Sequence, residues 1–191
     1  MLTEERFARI LNILEEHGSV TVTELMEQLH ASESTIRRDL NTLDAGTTTE
    51  LMIDAQMNRN ALYITNAIGH AKKLSALGCT VYLLGGEFKG TTDAIVGEEA
   101  VLSIAKYNFT KGFFGTNGVT KEQGFTTPEV KEALIKRRAM EQTKEAYVLA
   151  DASKFGEIST VTFGAFTDAT ILTNQVKQEY RGFSNIKEVE E

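Results

Sequence analysis

The sequence predicts an α/β domain with a mostly parallel sheet over residues 44–191, preceded by a small all-α domain over residues 1–43. In the longer part, short apolar segments of strand length alternate with helical patterns, which is typical of a parallel sheet with crossover helices. In the shorter part, three helical patterns follow one another without a strand. A chain of 191 residues has room for one small and one medium domain.

Three helices account for the first domain. The first ends at Gly18, the second covers residues 23–29, and the third begins at Ser32, whose short polar side chain suits an N-cap. Their apolar residues recur at helical spacing and are expected to face one another: Phe7, Ile10, Leu11, Leu14, Leu25, Met26, Leu29, Ile36, Leu40 and Leu43. This order predicts a helix-turn-helix unit.

The third helix carries hydroxyls and arginines on the side that its apolar stripe leaves outward. Short hydroxyls near a helix N-terminus, together with arginines, suit base edges and phosphates in a major groove. The alternative is a small helical domain whose arginines are only solvated. We predict that the helix binds double-stranded DNA through five residues: Ser32, Ser34, Thr35, Arg37 and Arg38.

The charge balance is unusual for a DNA-binding domain. Residues 1–43 carry four arginines against seven glutamates and one aspartate, a formal charge of −4. Residues 44–191 carry 16 basic and 19 acidic side chains, a formal charge of −3. Because affinity for the phosphate backbone comes from basic side chains, Arg37 and Arg38 provide only a thin basic patch.

Composition predicts a globular cytoplasmic protein. Hydrophobic residues make up 41% and charged residues 25% of the chain, and no apolar stretch approaches the length of a membrane-spanning helix. The N-terminus lacks the basic and apolar regions of a signal peptide. The single cysteine, Cys79, is expected to be a buried free thiol. It has no ligand spacing with His17, His30 or His70, so neither a metal nor another cofactor is predicted.

The α/β domain is predicted to contain five parallel strands and three helices. Strand-like segments lie at residues 61–64, 81–84, 112–114, 147–149 and 170–172, and helical patterns lie at residues 66–77, 97–107 and 127–143. The last helix is predicted to begin with Thr127 as its cap, Pro128 in its first turn and Glu129 near its positive end. Helices are expected on both faces of the sheet.

Small and polar residues follow the predicted strands, at the edge where open parallel sheets bind ligands. Gly46 and the three threonines after it open a helix near Glu50, and free backbone N–H groups at such a position attract phosphate. Lys154 can add a positive charge, and Asp151 can accept from sugar hydroxyls. The predicted ligand-binding residues are Gly46, Thr47, Thr48, Thr49, Thr65, Asn66, Gly85, Gly86, Asn117, Asp151 and Lys154.

Each of these features also has a purely structural explanation. Glycines after strands often serve tight turns, which is an open alternative for Gly85-Gly86 and for Gly115. Asp151 and Lys154 can form a surface ion pair, and threonines also cap helices. The run Lys136-Arg137-Arg138 is expected to lie on the solvated face of its helix rather than to form a second DNA site.

The segment Ser32-Glu-Ser-Thr-Ile-Arg-Arg-Asp-Leu40 matches the reading-helix signature of DeoR-type bacterial repressors. The chain resembles this family, and in particular the branch that represses fructose-utilisation operons, through Gly124-Phe-Thr-Thr-Pro128 and the surroundings of Asp151. The resemblance covers nearly all of residues 44–174. The other matched landmarks are Asp44 to Thr49, Thr65-Asn66, Gly85-Gly86, Gly97, Gly115, Asn117-Gly118 and Asp151 to Gly156.

The resemblance implies an effector domain similar in fold to ribose-5-phosphate isomerase, with Asp44 among its effector-binding residues. It implies that a phosphorylated sugar binds there and weakens the binding of operator DNA, with fructose 1-phosphate as the first expectation. The protein is accordingly expected to be a repressor and not an enzyme. A repressor that binds a palindromic operator is expected to be a dimer or tetramer.

One part of the family pattern is missing. Leu43 runs straight into Asp44, whereas the family places a basic winged hairpin, a linker, a helix and a first strand between these two points. Either the chain carries a true deletion or the sequence omits a segment, and the close match on both flanks favours omission. The helix-turn-helix domain is therefore expected to lack its wing, and the second domain is expected to lack its first strand.

Two other functions remain compatible with the sequence. A sugar-phosphate isomerase needs a base that moves a proton between adjacent carbons, and Asp44, Asp93 and Asp151 are candidates for it. A DNA-reading domain has no use in that reaction. The other alternative is an inert shortened variant, whose second domain cannot fold without the missing strand.

Overall fold

The computed structural model describes residues 22–32 and 55–189, together with the single residues Arg6, Arg9, Ile10, Ile13, Thr35, Ile36 and Ile53. Four helices have both ends within these parts: α1 Val22–Leu29, α2 Ile68–Ala76, α3 Glu98–Ile104 and α4 Val130–Glu141. None of the helices in the described parts is long and apolar enough to cross a membrane.

The strands of the described residues lie between residues 62 and 188. They are β1 Leu62–Thr65, β2 Thr80–Leu83, β3 Glu87–Lys89, β4 Ala94–Val96, β5 Phe109–Gly115, β6 Gly118–Thr120, β7 Gly124–Thr127, β8 Thr143–Leu149, β9 Val161–Gly164, β10 Thr170–Thr173 and β11 Ile186–Glu188. Short 3-10 turns cover Ala152–Lys154 and Gln178–Tyr180.

Two parallel sheets form the centre of the α/β domain. The larger has four strands in the order β11–β10–β8–β5, and β1 and β2 form a separate parallel pair. In the chain, α2 lies between β1 and β2, and α4 lies between β5 and β8, as the crossover connections of parallel strands require. The α/β class and the mostly parallel arrangement are therefore confirmed, and each of the five predicted strands is present.

Two antiparallel units were not expected from the sequence. β3 and β4 form a hairpin, and a second sheet has the order β6–β7–β9. The strands of the second sheet have three or four residues and include Gly118, Gly124 and Gly164, so they lack the apolar alternation that marks a strand. Gly124 has a φ of 69°, and a Cβ on it would lie 2.2 Å from the Gly164 carbonyl oxygen, so this close backbone approach requires glycine.

One hydrophobic core joins the larger sheet to α3 and α4. Phe114, Val148 and Ile171 come from three neighbouring strands and are 7%, 0% and 0% exposed. The two helices contribute Ala100, Ile104, Ala133, Ile135, Ala139 and Met140. Full burial of a large apolar side chain stabilises a fold by roughly 1.5–3 kcal/mol, so this core anchors the strands whose ends carry the predicted ligand residues.

Two smaller clusters pack outside this core. Ile53, Leu74 and Cys79 form one of them, beside β1 and β2. Cys79 is a buried free cysteine, which confirms its predicted state. The other cluster lies at α1 and includes four of the residues that were predicted to face one another: Ile10, Leu25, Leu29 and Ile36.

Two predictions near α4 are wrong. Thr127 is the last residue of β7 and does not cap the helix, whose N-cap is Glu129 without a side-chain capping bond. Lys136 does not lie on a solvated face, because it is partly buried and its Nζ lies 5.3 Å from the centroid of the Phe163 ring. The helical pattern therefore identified α4 but not which of its polar residues face inward.

Candidate functional site

Asn117 and Asp151 follow the ends of two neighbouring parallel strands. Gly115 of β5 pairs with Leu149 of β8, and each polar residue lies two positions beyond this pair. Asn117 is only 5% exposed, and its backbone N–H donates to the Thr126 carbonyl at 3.0 Å. Strand pairing therefore fixes two of the predicted ligand residues at the same edge of the sheet.

The turn Ala152–Lys154 is held beside the segment that contains Asn117. Val119, in the middle of β6, pairs with Phe155 through a parallel bridge. The Gly156 N–H then donates to the Val119 carbonyl at 2.8 Å. These backbone contacts bring the residues after β8 against the strand that follows Asn117.

Lys154 places a buried ammonium group at this edge. Its side chain is only 4% exposed, and its Nζ lies 3.8 Å from Asp151 Oδ2. Asp151 Oδ1 accepts from the Ser153 N–H at 2.7 Å, which orients the carboxylate. The ion pair between Asp151 and Lys154 is therefore present, but Lys154 is buried and the pair is not the surface ion pair that was considered from the sequence. A buried lysine usually needs such a counter-charge. An ammonium in this position can bind an anion that enters at the strand ends.

Asn174 was missed by the sequence analysis although it lies at the same edge. It follows β10, whose Leu172 pairs with Leu149 of β8. Its Oδ1 accepts from the Ala152 N–H at 3.1 Å, so it helps to hold the turn that carries Lys154. A polar residue directly after a predicted strand was the available signal, because the same rule found Asn66 and Asp151.

The second group of predicted residues follows β1 and β2. The Leu84 N–H donates to the Thr65 carbonyl at 2.9 Å, which continues the pairing of the two strands. Thr65 Oγ1 accepts from the Ala67 N–H at 3.1 Å and lies 3.5 Å from His70 Nδ1. Asn66 is tied to the β3–β4 hairpin instead, because its Nδ2 donates to the Ile95 carbonyl at 3.1 Å.

Gly85 and Gly86 have different roles. Gly86 has a φ of 143°, and a Cβ on it would lie 2.8 Å from the Val96 carbonyl oxygen of β4. Glycine is therefore required at this position by its backbone conformation and by the close approach of β4. A Cβ on Gly85 would meet no atom within 4 Å, so this position leaves open space beside the end of β2.

The β3–β4 hairpin links the two groups. On one side, the Ile95 N–H donates to the Asn66 carbonyl at 2.6 Å. On the other side, Lys89 Nζ contacts α4, at 2.8 Å from Glu129 Oε1 and 2.6 Å from Glu132 Oε1. Lys89 and Glu132 each expose 15% of the side chain, so this ion pair is largely desolvated.

A short hydrogen-bond chain leads from this ion pair to Asn117. The hydroxyl of Thr127, a residue with no exposed surface, lies 3.2 Å from Asn117 Oδ1 and 3.3 Å from Glu132 Oε2. Thr92 Oγ1 donates to the other oxygen of Glu132 at 3.4 Å. Asn117 is therefore connected through Thr127 to a carboxylate on α4.

Glu132 and its two lysine neighbours differ in their acid–base behaviour. Burial tends to raise the pKa of Glu132, but Lys136 and the hydrogen bond from Lys89 outweigh burial, so the pKa of Glu132 is lowered. Burial lowers the pKa of Lys136, and Glu132 offsets only part of that effect. Burial also disfavours charged Lys89, but hydrogen bonds to Glu129 and Glu132 prevail and raise its pKa. Glu132 is therefore an ionised acceptor at neutral pH.

Part of the predicted sites lies outside the described residues: Ser34, Arg37, Arg38, Asp44, Gly46, Thr47, Thr48 and Thr49. Ser32 and Thr35 are described. Ser32 Oγ accepts from the Thr35 N–H at 3.3 Å, which is the hydrogen bond of an N-cap, and the two hydroxyls lie 2.9 Å apart. The predicted cap is confirmed, and the DNA contacts remain predictions.

A groove of about 520 Å³ lies away from the strand ends, between the end of α4 and β9. It contains none of the predicted ligand residues. Two of its charged residues stabilise nearby backbone: Arg137 donates to the Thr162 carbonyl at 2.6 Å, and Asp168 accepts from the Ala165 N–H at 2.7 Å. Within the described parts of the chain, no three His, Cys, Asp or Glu residues are grouped to hold a metal ion.

The sequence matches the family described as the DeoR C terminal sensor domain over residues 19–175. The chain belongs to this family. The match includes every predicted ligand residue that the structure describes at the strand ends. It begins before the domain boundary predicted between Leu43 and Asp44, which remains a prediction.

Several bacterial regulators are similar to this DeoR-family chain. The uncharacterized HTH-type transcriptional regulator FruR of Bacillus subtilis is 37% identical, over 93% of this chain and 93% of its own length. The HTH-type transcriptional regulator IolR of the same organism is 33% identical, over 82% of this chain and 64% of its own length. The lactose phosphotransferase system repressor of Streptococcus mutans is 26% identical, over 94% of both chains.

The alignment with FruR of B. subtilis bears on the segment of the family pattern that this chain lacks. It spans 234 positions, whereas the chain has 191 residues, so at least 43 positions have no residue in this chain. The relative therefore carries residues that this chain does not, and their place at the junction of Leu43 with Asp44 remains a prediction.

Proposed function

We propose that this chain is a DNA-binding repressor of a sugar-utilisation operon that a phosphorylated sugar releases from its operator, with fructose 1-phosphate as the effector. The observation that carries the proposal is the match to a sensor-domain family over residues 19–175. Two relatives support a role in sugar regulation, since one is named FruR and another is named a lactose phosphotransferase system repressor.

The strand ends supply groups suited to a sugar phosphate. The buried ammonium of Lys154 provides a positive charge for the phosphate, and carboxylate and amide oxygens at Asp151 and Asn117 can accept from sugar hydroxyls. We place the rest of the phosphate site in Gly46 to Thr49, where a glycine and three hydroxyls precede a predicted helix. Thr65, Asn66 and Asp44 complete the proposed pocket.

The proposed DNA contacts come from the third helix of the first domain, through Ser32, Ser34, Thr35, Arg37 and Arg38. A second copy of the chain would provide the other half of a palindromic interface. For the effector to act as an inducer, it must bind the DNA-free form more tightly than the DNA-bound form. The protein would perform this role in the cytoplasm without a catalytic step.

Isothermal titration of the full chain tests the effector half of the proposal. Fructose 1-phosphate is titrated first, with fructose 6-phosphate and ribose 5-phosphate as comparisons. Selective, saturable binding of fructose 1-phosphate is expected. A chain that unfolds cooperatively but binds none of the three would contradict the proposed effector class.

Selection from a random pool of duplex DNA tests the other half. We expect an enriched, palindromic sequence whose binding weakens only shallowly as salt rises, because this thinly basic domain neutralises few phosphates. Addition of fructose 1-phosphate is expected to release the selected duplex. An enriched duplex that fructose 1-phosphate does not release would support DNA binding but contradict control by this effector.

A further inference from the structure

The hydrogen-bond chain from Asn117 to α4 ends on a charge that is kept inside the protein. Asn117 and Thr127 are 5% and 0% exposed, and the Glu132 side chain is 15% exposed. Glu132 lies in the first turn of α4, whereas Asn117 follows β5, so α4 and the end of the sheet meet through Thr127.

Thr127 has one hydroxyl proton and two acceptors within reach. Its Oγ1 lies 3.2 Å from Asn117 Oδ1 and 3.3 Å from Glu132 Oε2, and it can donate to only one at a time. A carboxylate is a stronger acceptor than an amide oxygen, so the ionised Glu132 competes directly with Asn117 for this proton. The charge on Glu132 therefore controls the hydrogen bond that the Asn117 amide receives.

Stability alone is a poor reason for this arrangement. A largely buried ion pair such as Lys89–Glu132 recovers little more than its own desolvation cost, and apolar side chains of the same volume often stabilise a fold equally well. The pair instead sits between two groups of the effector site. Lys89 belongs to the hairpin that holds Asn66 through Ile95, and Glu132 contacts Thr127, the neighbour of Asn117.

We propose that Glu132 is a positioning residue for effector recognition: through Thr127 it sets the hydrogen-bonding direction of Asn117, which then discriminates among sugar phosphates by their hydroxyl groups. The inference rests on the proposed function. It assigns the phosphate charge to Lys154 and the selection of the sugar to Asn117 and Glu132.

A double-mutant cycle tests the inference in the full chain. Glu132→Gln and Asn117→Ala are each expected to weaken fructose 1-phosphate binding by about tenfold, the size of one lost hydrogen bond. The double variant is expected to bind no more weakly than Asn117→Ala alone, because Glu132 acts on the sugar only through Asn117. Binding of inorganic phosphate is expected to be unchanged in all three, since it carries no sugar hydroxyls.

Three further variants keep the test decisive. Glu87→Gln breaks the exposed Lys131–Glu87 ion pair between the same hairpin and helix and is expected to leave both affinities unchanged. Thr127→Val removes, at nearly constant volume, the hydroxyl that links Glu132 to Asn117, so Glu132→Gln is expected to have no further effect on sugar binding in that background. Thr127→Ser keeps the hydroxyl and is expected to bind normally. If Glu132→Gln does not fold, Thr127→Val and Thr127→Ser are compared instead, and equal affinity of the two for fructose 1-phosphate would overturn the inference.

The outcomes separate the inference from the proposed function. If the wild-type chain binds no sugar phosphate, the proposed function fails and the inference fails with it. If wild-type binding is selective but the losses of the two single variants add up, the inference alone is wrong. Equal weakening of sugar phosphate and inorganic phosphate would also overturn it, because it would show only a general loss of structure.

Discussion

The two parallel sheets differ in how much of their strand surface is buried. In the four-stranded sheet, Val148 and Ile171 are fully buried in the main core, to which α3 and α4 also contribute. In the two-stranded sheet, Leu62, Tyr82 and Leu83 are 52%, 50% and 43% exposed. Parallel strands are normally covered on both faces, so the smaller sheet is incomplete by this standard.

Side chains at the edge of the larger sheet are also incompletely buried. Phe113 lies on β5, the edge strand, and is 50% exposed, although it stacks on Tyr147 with a centroid separation of 5.3 Å. Such exposure is expected of a parallel sheet that lacks a strand, as the junction of Leu43 with Asp44 predicts. Asn117 and Lys154 therefore follow strands that contribute Phe114 and Val148 to the main core, whereas Asn66 depends on the hairpin.

The sharpest test of the comparison is one large-to-small substitution in each sheet. We expect Phe114→Ala to lower the free energy of unfolding by about 3–5 kcal/mol, because it leaves a cavity in the main core. Tyr82→Ala, at a half-exposed position, should cost about 1 kcal/mol or less. Urea denaturation of both variants measures the difference, and equal losses would contradict the contrast between the two sheets.

Restoring the missing residues should reduce the difference in side-chain exposure between the two sheets. We expect insertion of the corresponding segment of FruR of B. subtilis between Leu43 and Asp44 to raise the free energy of unfolding by about 2–4 kcal/mol, since it would cover Leu62, Tyr82 and Phe113. A scrambled segment of equal length provides the control. An equal result with both segments would show that the exposed side chains do not mark a missing strand.

Two adjacent glycines after β2 are expected to respond differently to substitution, because only Gly86 is tightly packed. Gly86→Ala should lower the free energy of unfolding by about 2 kcal/mol, because its φ is positive and its Cβ would meet the Val96 carbonyl. Gly85→Ala should leave stability unchanged, since its Cβ enters open space. Thermal unfolding compares the two, and a matching loss at Gly85 would show that it too is a packing glycine.

The charge cluster on α4 predicts a smaller, pH-dependent effect. Glu132→Gln should cost about 1–2 kcal/mol of unfolding free energy at neutral pH, because Lys89 keeps Glu129 as a partner. The folded-state pKa of Glu132 lies below its ordinary value of 4.5, so its stabilising contribution is present above pH 4.5 and is lost as the pH falls through the folded pKa. The cost of Glu132→Gln should therefore shrink in acid.

Urea denaturation of the wild-type chain and of Glu132→Gln between pH 7 and pH 3 measures how the cost in unfolding free energy changes with pH. Glu87→Gln is the matched control, since Glu87 pairs with Lys131 at an exposed position and should cost little at any pH. A Glu132→Gln cost that stays constant with pH would contradict the assigned charge state.

The sequence predicted the elements that carry strong apolar runs. All five segments predicted as strands became parallel strands, because short apolar runs of this length favour strands over helices. The antiparallel strands around Gly118 and Gly124 escaped prediction because they are short and are held by close backbone contacts instead. Lys136 was misplaced because three consecutive basic residues gave no sign that one of them faces Glu132 and Phe163.

The site was predictable only where it follows strands. The rule that ligands bind beyond strand ends selected Asn66, Asn117, Asp151 and Lys154 as candidates, and the structure places each of them after a parallel strand. It could not find Lys89, Thr127 and Glu132, which come from a hairpin, an antiparallel strand and a helix. Lys89 and Glu132 lie 43 positions apart in the chain, and no local pattern signals that they form an ion pair.

Titration of Lys154→Met with fructose 1-phosphate tests the central claim most directly. Methionine fills a similar volume without the ammonium, so the variant should fold and should bind fructose 1-phosphate at least tenfold more weakly than the wild-type chain, through loss of a charge-assisted contact. Unchanged affinity in a cooperatively folded Lys154→Met variant would contradict the claim that the strand ends of the larger sheet hold the phosphate.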